Sequence, residues 1–166
     1  MGRGQTHTRT ILSAIFVLTC LADIVHAQTN LSTAKGKAFV TYSPDPAIIA
    51  AGKQTTVPLH FHSLSGYHIN SHTPHQDYLI ATEVTLQPAS GIQIGKLEYP
   101  AGTPYSFSFD PTEKLDVYTG DFTVNARIIA PKGTYTLLGT LHYQACDNAA
   151  CYPPKTLPIV ISITAK

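Results

Sequence analysis

The chain has 166 residues, with 11 Lys and Arg against 10 Asp and Glu, three cysteines and no tryptophan. Near-zero net charge supplies no basic footprint for nucleic acid and no steering toward an anionic membrane. The length allows one domain with its own core.

Arg3 and Arg9 precede an apolar run from Ile11 to Leu21, and Val25-His26-Ala27 is a small-x-small cleavage site. This predicts a secretory signal over 1–27 and a mature chain from Gln28. The apolar run is shorter than the roughly 20 residues that span a bilayer, and no later segment is long enough, so no membrane span is expected after cleavage. Cys20 lies inside the run; as a lipoprotein site it lacks a preceding small residue, since Val17-Leu18-Thr19 stands there. Cleavage removes Arg3, Arg9 and Asp23 and leaves nine charges of each sign. Export, to the periplasm or otherwise, means a compartment where disulfides persist. Without Cys20, Cys146 and Cys151 form the one possible pair.

Residues 28–36 are small and polar and read as a flexible segment leading to a domain over 37–166. Lys37 to Tyr42 is a first short strand, broken by Ser43-Pro44-Asp45-Pro46. From Gln54 to His62, Val57, Leu59 and Phe61 alternate with Pro58, His60 and His62, the period of a half-buried strand. Short strands follow over 67–69, 80–86 and 92–99. Pro100 to Asp116 reads as a long irregular stretch carrying Tyr105, Phe107 and Phe109; loops of that length in a compact domain are often functional. Residues 118–129 alternate again, then 135–145 after the Pro131-Lys132-Gly133 turn, and Leu157, Ile159, Ile161 and Ile163 mark the last strand. About eight short strands at regular turn spacing predict an all-β fold, a β-sandwich.

Cys146 and Cys151 are five steps apart, roughly 16 Å if extended. The Cα atoms of a disulfide usually lie roughly 4.4–6.8 Å apart, so Asp147-Asn148-Ala149-Ala150 must turn the chain back, as Asp and Asn favour. The pair is either a structural staple or a redox pair. As a staple it is modest: closing about six residues stabilises by roughly 2 kcal/mol. It is not a C-x-x-C motif, so no thioredoxin-type site is indicated. His142 and Gln144 are expected on the face of Cys146, where a protonated histidine would lower a thiol pKa and Asp147 would oppose that.

Tyr143-Gln144-Ala145-Cys146 followed by Cys151-Tyr152-Pro153-Pro154 resembles the N-terminal periplasmic domain of the DsbD family of thiol:disulfide interchange proteins. Gly66-Tyr67-His68-Ile69-Asn70 and Leu115-Asp116-Val117-Tyr118 resemble further segments of that family in the same order, and the resemblance covers roughly residues 37–164. It implies an immunoglobulin-like β-sandwich and a Cys146/Cys151 pair cycling between dithiol and disulfide. Cys151 would be the attacking thiol and Cys146 the resolving one. It implies electron relay between partner proteins, namely thioredoxin-like or membrane electron-carrier redox proteins and periplasmic disulfide proteins. It also implies a shielding loop over 105–114, with Phe107, Phe109, Tyr67 and Tyr152 as the cap and shielding residues. The spacer has four residues where the best-known members have five. Pro111 falls where the family places its cap aromatic, with Phe109 two residues away. The sequence carries neither the family's membrane-embedded part nor its thioredoxin-like domain, so separate partners are expected.

His60, His62, His68, His72 and His75 fall within sixteen residues. His60 and His62 share a strand face and are the candidate metal ligands, although no carboxylate or cysteine stands at a signature spacing. The alternatives to exchange are therefore a non-catalytic exported binding or adaptor domain with a structural disulfide, or a histidine-cluster metal protein. No nucleophile elbow and no phosphate-cradling glycine loop occurs, and no motif requires a cofactor.

Overall fold

A computed structural model describes residues 1–2, 37–89, 91–107 and 110–166. Residues 3–27 of the expected signal, with Cys20, the segment 28–36 and Phe109 lie outside the described residues. The chain divides into Met1–Ala34 and Lys35–Lys166, and everything below concerns the second unit.

Twelve strands follow one another: β1 (Val40–Ser43), β2 (Ala47–Ile49), β3 (Thr55–Ser63), β4 (His68–Asn70), β5 (Glu83–Leu86), β6 (Gln93–Glu98), β7 (Thr103–Tyr105), β8 (Leu115–Tyr118), β9 (Asp121–Ile129), β10 (Gly133–Tyr143), β11 (Ala145–Cys146) and β12 (Lys155–Ala165). There is no helix among the described residues. One sheet runs β1-β3-β9-β6 and a second β2-β12-β10-β5. Their inner faces carry the alternating residues read from the sequence: Val57, Leu59 and Phe61 with Phe122, Val124, Ala126 and Ile128, facing Leu137, Leu141, Ile159, Ile161 and Ile163. All of these are buried in one cluster. Fully burying each large aliphatic side chain contributes roughly 1.5–3 kcal/mol. The fold is all-β, an immunoglobulin-like sandwich.

The chain changes sheets between its first two strands. β1 pairs antiparallel with β3, and β2 pairs parallel with β12. Pro44 and Pro46 stand between them, where missing N–H donors interrupt a ladder and let the chain change sheets.

A third sheet, β11-β4-β8-β7, grows out of the ends of the sandwich strands. Two expected strands are split to make it. Residues 118–129 are not one strand: Gly120, at φ 59°, takes the chain from β8 into β9 of the first sheet, a left-handed conformation that glycine adopts without penalty. Residues 135–145 part at Gln144, between β10 of the second sheet and β11 of the third. The expected irregular stretch 100–116 holds β7 and the start of β8, paired antiparallel from Thr103↔Val117 to Tyr105↔Leu115. Three- and four-residue strands are too short for alternation to register, and β7 is an edge strand, where Pro104 is tolerated.

Candidate active site

Cys146 ends β11 and Cys151 faces it across a tight hairpin, bridged at S–S 2.02 Å with the Cα atoms 3.9 Å apart. The Asp147 amide donates to the Ala150 carbonyl at 2.9 Å and the Tyr152 amide to the Ala145 carbonyl at 2.8 Å. These two bonds flank the cysteines, which therefore occupy a non-hydrogen-bonded pair, the position where antiparallel strands bring side chains closest. The turn expected over 147–150 is present.

Asp147 builds that turn. One carboxylate oxygen accepts the amides of Ala149 and Ala150 at 2.8 and 2.9 Å, and the other accepts the Tyr152 hydroxyl at 2.5 Å. The Tyr152 hydroxyl first, and the two amides next, hold the carboxyl down to about 2. The same bond pushes the Tyr152 phenol up to about 12. The charge expected to oppose a thiolate is thus engaged in three hydrogen bonds.

The two sulfur-bearing residues differ in access. Cys146 is fully buried, whereas Cys151 is exposed. Cys146 shares a small buried cluster with Phe107, Leu115 and Val117. Phe107 enters from the β7–β8 hairpin, whose loop is tied internally. Asp110 accepts the amides of Thr112 and Glu113 at 3.2 and 3.3 Å, and Lys114 Nζ donates to Ser106 Oγ at 3.1 Å. From the other side Gln76 donates to the Lys114 carbonyl at 3.1 Å, and the Tyr78 hydroxyl bonds Glu113. Tyr105, at the end of β7, donates to Asn148 of the cysteine turn at 2.9 Å.

Tyr67 and Tyr152 lie elsewhere around the pair. Both pack on Phe39, with ring centroids 4.8 and 4.7 Å from it, and Lys37 and Lys155 lie over the rings of Tyr67 and Phe39. Gln144 of the cysteine motif donates to the Tyr152 carbonyl at 3.2 Å and accepts from Asn70 at 3.3 Å. It ties the strand leaving the second sheet to the chain returning from Cys151.

The histidine beside the pair is not the expected one. His142 is exposed on β10, opposite Glu83 and Thr156. The break at Gln144 ends the alternation that would have carried it to the face of Cys146. His68 takes that place: it is the ladder partner of Cys146, only 3% exposed, with Tyr105 and Phe107 at 4.0 and 5.9 Å between centroids. Burial lowers its pKa and the Asp147 carboxylate opposes that. His68 lies in β4, which is three residues long and buried on every residue, a pattern without alternation that gives no sign of which side chain faces Cys146. A cavity of about 310 Å³ opens beside the site, lined among others by Gly66, Tyr67, His68, Tyr105 and Asn148.

His60 and His62 do share a face, but each has its own partner. His60 meets Thr123 at 3.0 Å, and His62 meets Asp121 at 2.7 Å. Among the described residues no three His, Cys, Asp or Glu side chains converge to hold a metal ion, and no helix is long and apolar enough to cross a membrane.

The family model of the thiol:disulfide interchange protein DsbD, N-terminal, matches residues 39–161. Among solved structures, the chain is similar to the reduced DsbD N-terminal domain of Neisseria meningitidis, at 21% identity and TM-score 0.46 over 69% of this chain and 82% of that one. A complex between the DsbD and PilB N-terminal domains of the same organism aligns at 19% identity and TM-score 0.45, over 72% and 80%. The N-terminal periplasmic domain of ScsB from Proteus mirabilis aligns at 14% identity and TM-score 0.49, over 74% and 51%. No curated protein matches the chain.

Proposed function

The chain belongs to the family of N-terminal domains of the thiol:disulfide interchange protein DsbD, and from that membership we propose that it relays electrons between partner proteins by cycling Cys146 and Cys151 between disulfide and dithiol. The domain is periplasmic, as its family is. The observation that carries the reading is the unequal access of a bonded pair, with Cys151 exposed and Cys146 fully buried. Exchange runs through a mixed disulfide and needs one sulfur within reach of a partner and a second thiol close by to resolve it. In this reading a partner's thiolate attacks Cys151, Cys146 leaves as thiolate, and a second partner thiol completes the transfer. In the reverse direction Cys151 attacks a partner disulfide and Cys146 resolves it.

Phe107 and Tyr105 are the shield. Phe107 packs with Cys146, and Tyr105 is tied to the cysteine turn by an exposed hydrogen bond, so lifting the β7–β8 hairpin loop uncovers Cys146. Suitable partners are thioredoxin-like or membrane electron-carrier redox proteins on one side and periplasmic disulfide proteins on the other. A DsbD N-terminal domain of Neisseria meningitidis forms a complex with a PilB N-terminal domain, which is support from a similar protein for docking of this kind.

The test is a trap. Cys146→Ala leaves Cys151 unable to be resolved, and mixed disulfides through Cys151 should accumulate in a periplasmic extract and vanish with Cys151→Ala. The wild-type pair should equilibrate with redox buffers at a potential above about −300 mV. An unreducible bond together with no trapped partner sinks the proposal and leaves a structural disulfide.

A further inference from the structure

Nε2 of His68 is shut off from solvent and has no hydrogen-bond partner among the described residues. A buried polar atom left unpaired costs roughly 1–3 kcal/mol, and such an atom in a native fold calls for an explanation. The ladder supplies one. Cys146 and His68 stand directly opposite in the antiparallel β11–β4 pair, so their side chains point to the same face with Cβ atoms about 4.5–5.5 Å apart. Both lie against Phe107, which shares the buried cluster of Cys146 and packs on the His68 ring. In the disulfide form the sulfur has no proton to offer. In the dithiol form Cys146 carries an S–H on the face His68 occupies.

We propose that His68 is the proton acceptor and donor of the buried sulfur, resting on the exchange reading above. When the domain reduces a partner, Cys151 is first joined to the partner's sulfur. The Cys146 thiol then passes its proton to Nε2 of His68 and its sulfur attacks Sγ of Cys151. The Cys146–Cys151 bond forms, the Cys151–partner bond breaks, and the electron pair leaves on the partner's thiolate. In the opposite direction protonated His68 returns the proton to Cys146 as it departs. A thiol as deeply buried as Cys146 resists ionising by itself.

The titratable groups facing His68 are Asp147 from the turn, Tyr105 from β7 and Cys146 from β11. Burial keeps the imidazole neutral to a lower pH than usual, the form that accepts a proton at neutral pH.

The experiment uses the purified reduced protein and one equivalent of a symmetrical aromatic disulfide, whose thiolate is coloured. The first release reports attack by Cys151, and the second reports resolution by Cys146. His68→Phe and His68→Gln should leave the first release within about twofold. They should slow the second at pH 7 by about tenfold or more, as loss of a general base does. The deficit should shrink as pH passes the ordinary thiol range near about 8.5. In the wild type, the ¹⁵N resonance of His68 Nε2 should move on reduction of the disulfide as it gains a partner, a readout that needs no variant. An unchanged second release with an unmoved resonance overturns the role of His68 while leaving exchange intact. Absence of the first release overturns the exchange reading, and this proposal with it.

Discussion

Asp147 sits next to a cysteine, and its charge looks like a liability for a thiolate until its partners are seen. Three donors converge on it, two of them turn amides. Its folded value of about 2 lies below the usual unfolded value of about 3.9. The stability it contributes is therefore complete above about pH 4 and lost as pH falls through about 2. Amide exchange at Ala149 and Ala150 should accelerate over that acid window, and Asp147→Asn should accelerate it at neutral pH and remove the dependence. The same variant should return the Tyr152 phenol from about 12 toward its ordinary value, seen by ultraviolet difference titration. Sequence placed these residues correctly but misjudged two roles. Asp147 builds the turn that its residue type predicts, but its charge, expected to oppose a thiolate, is engaged by three donors, and His68 rather than His142 stands beside Cys146 because strand alternation does not extend through Gln144.

The β7–β8 hairpin carries the aromatic ring that packs on Cys146. Its base is short, and its loop hangs on Phe107 and on bonds to Gln76 and Tyr78. Phe107→Ala removes a nearly buried ring and should cost about 3 kcal/mol, read from denaturant midpoints at unchanged slope. It should also raise the rate at which dithiothreitol reduces the Cys146–Cys151 bond several-fold; an unchanged rate would remove Phe107 from the shield. At the centre of β10, between β12 and β5, Gly139 allows a close approach. A Cβ there would meet the Thr85 carbonyl and Leu86 Cδ2, each at 2.6 Å. Gly139→Ala should destabilise the domain by about 1–3 kcal/mol, detectable in urea unfolding. The long strands β3, β9, β10 and β12 were legible because period two persists over nine or eleven residues. The short strands of the third sheet were not, since they are defined by partners distant in sequence.

At the scale of the whole unit, the sandwich carries the stability and the end sheet holds Cys146 of the cysteine pair. Closing a loop of about six residues is worth roughly 2 kcal/mol, small beside a core drawing on both main sheets. The Cys146→Ser/Cys151→Ser protein should therefore unfold cooperatively, with stability lower by about 2 kcal/mol. A domain that collapses without the bond could not cycle through the dithiol. By itself the sequence determined the all-β class, the inward face of each long strand and the one cysteine pair, because these follow from local periodicity, turn chemistry and counting. Only the tertiary structure decided which sulfur is buried, which histidine stands beside it and which aromatic covers it. Those facts depend on two strands leaving their sheets at Gly120 and Gln144 to build a third, and pairing between residues 78 positions apart, as His68 is from Cys146, leaves no mark in the pattern of either segment.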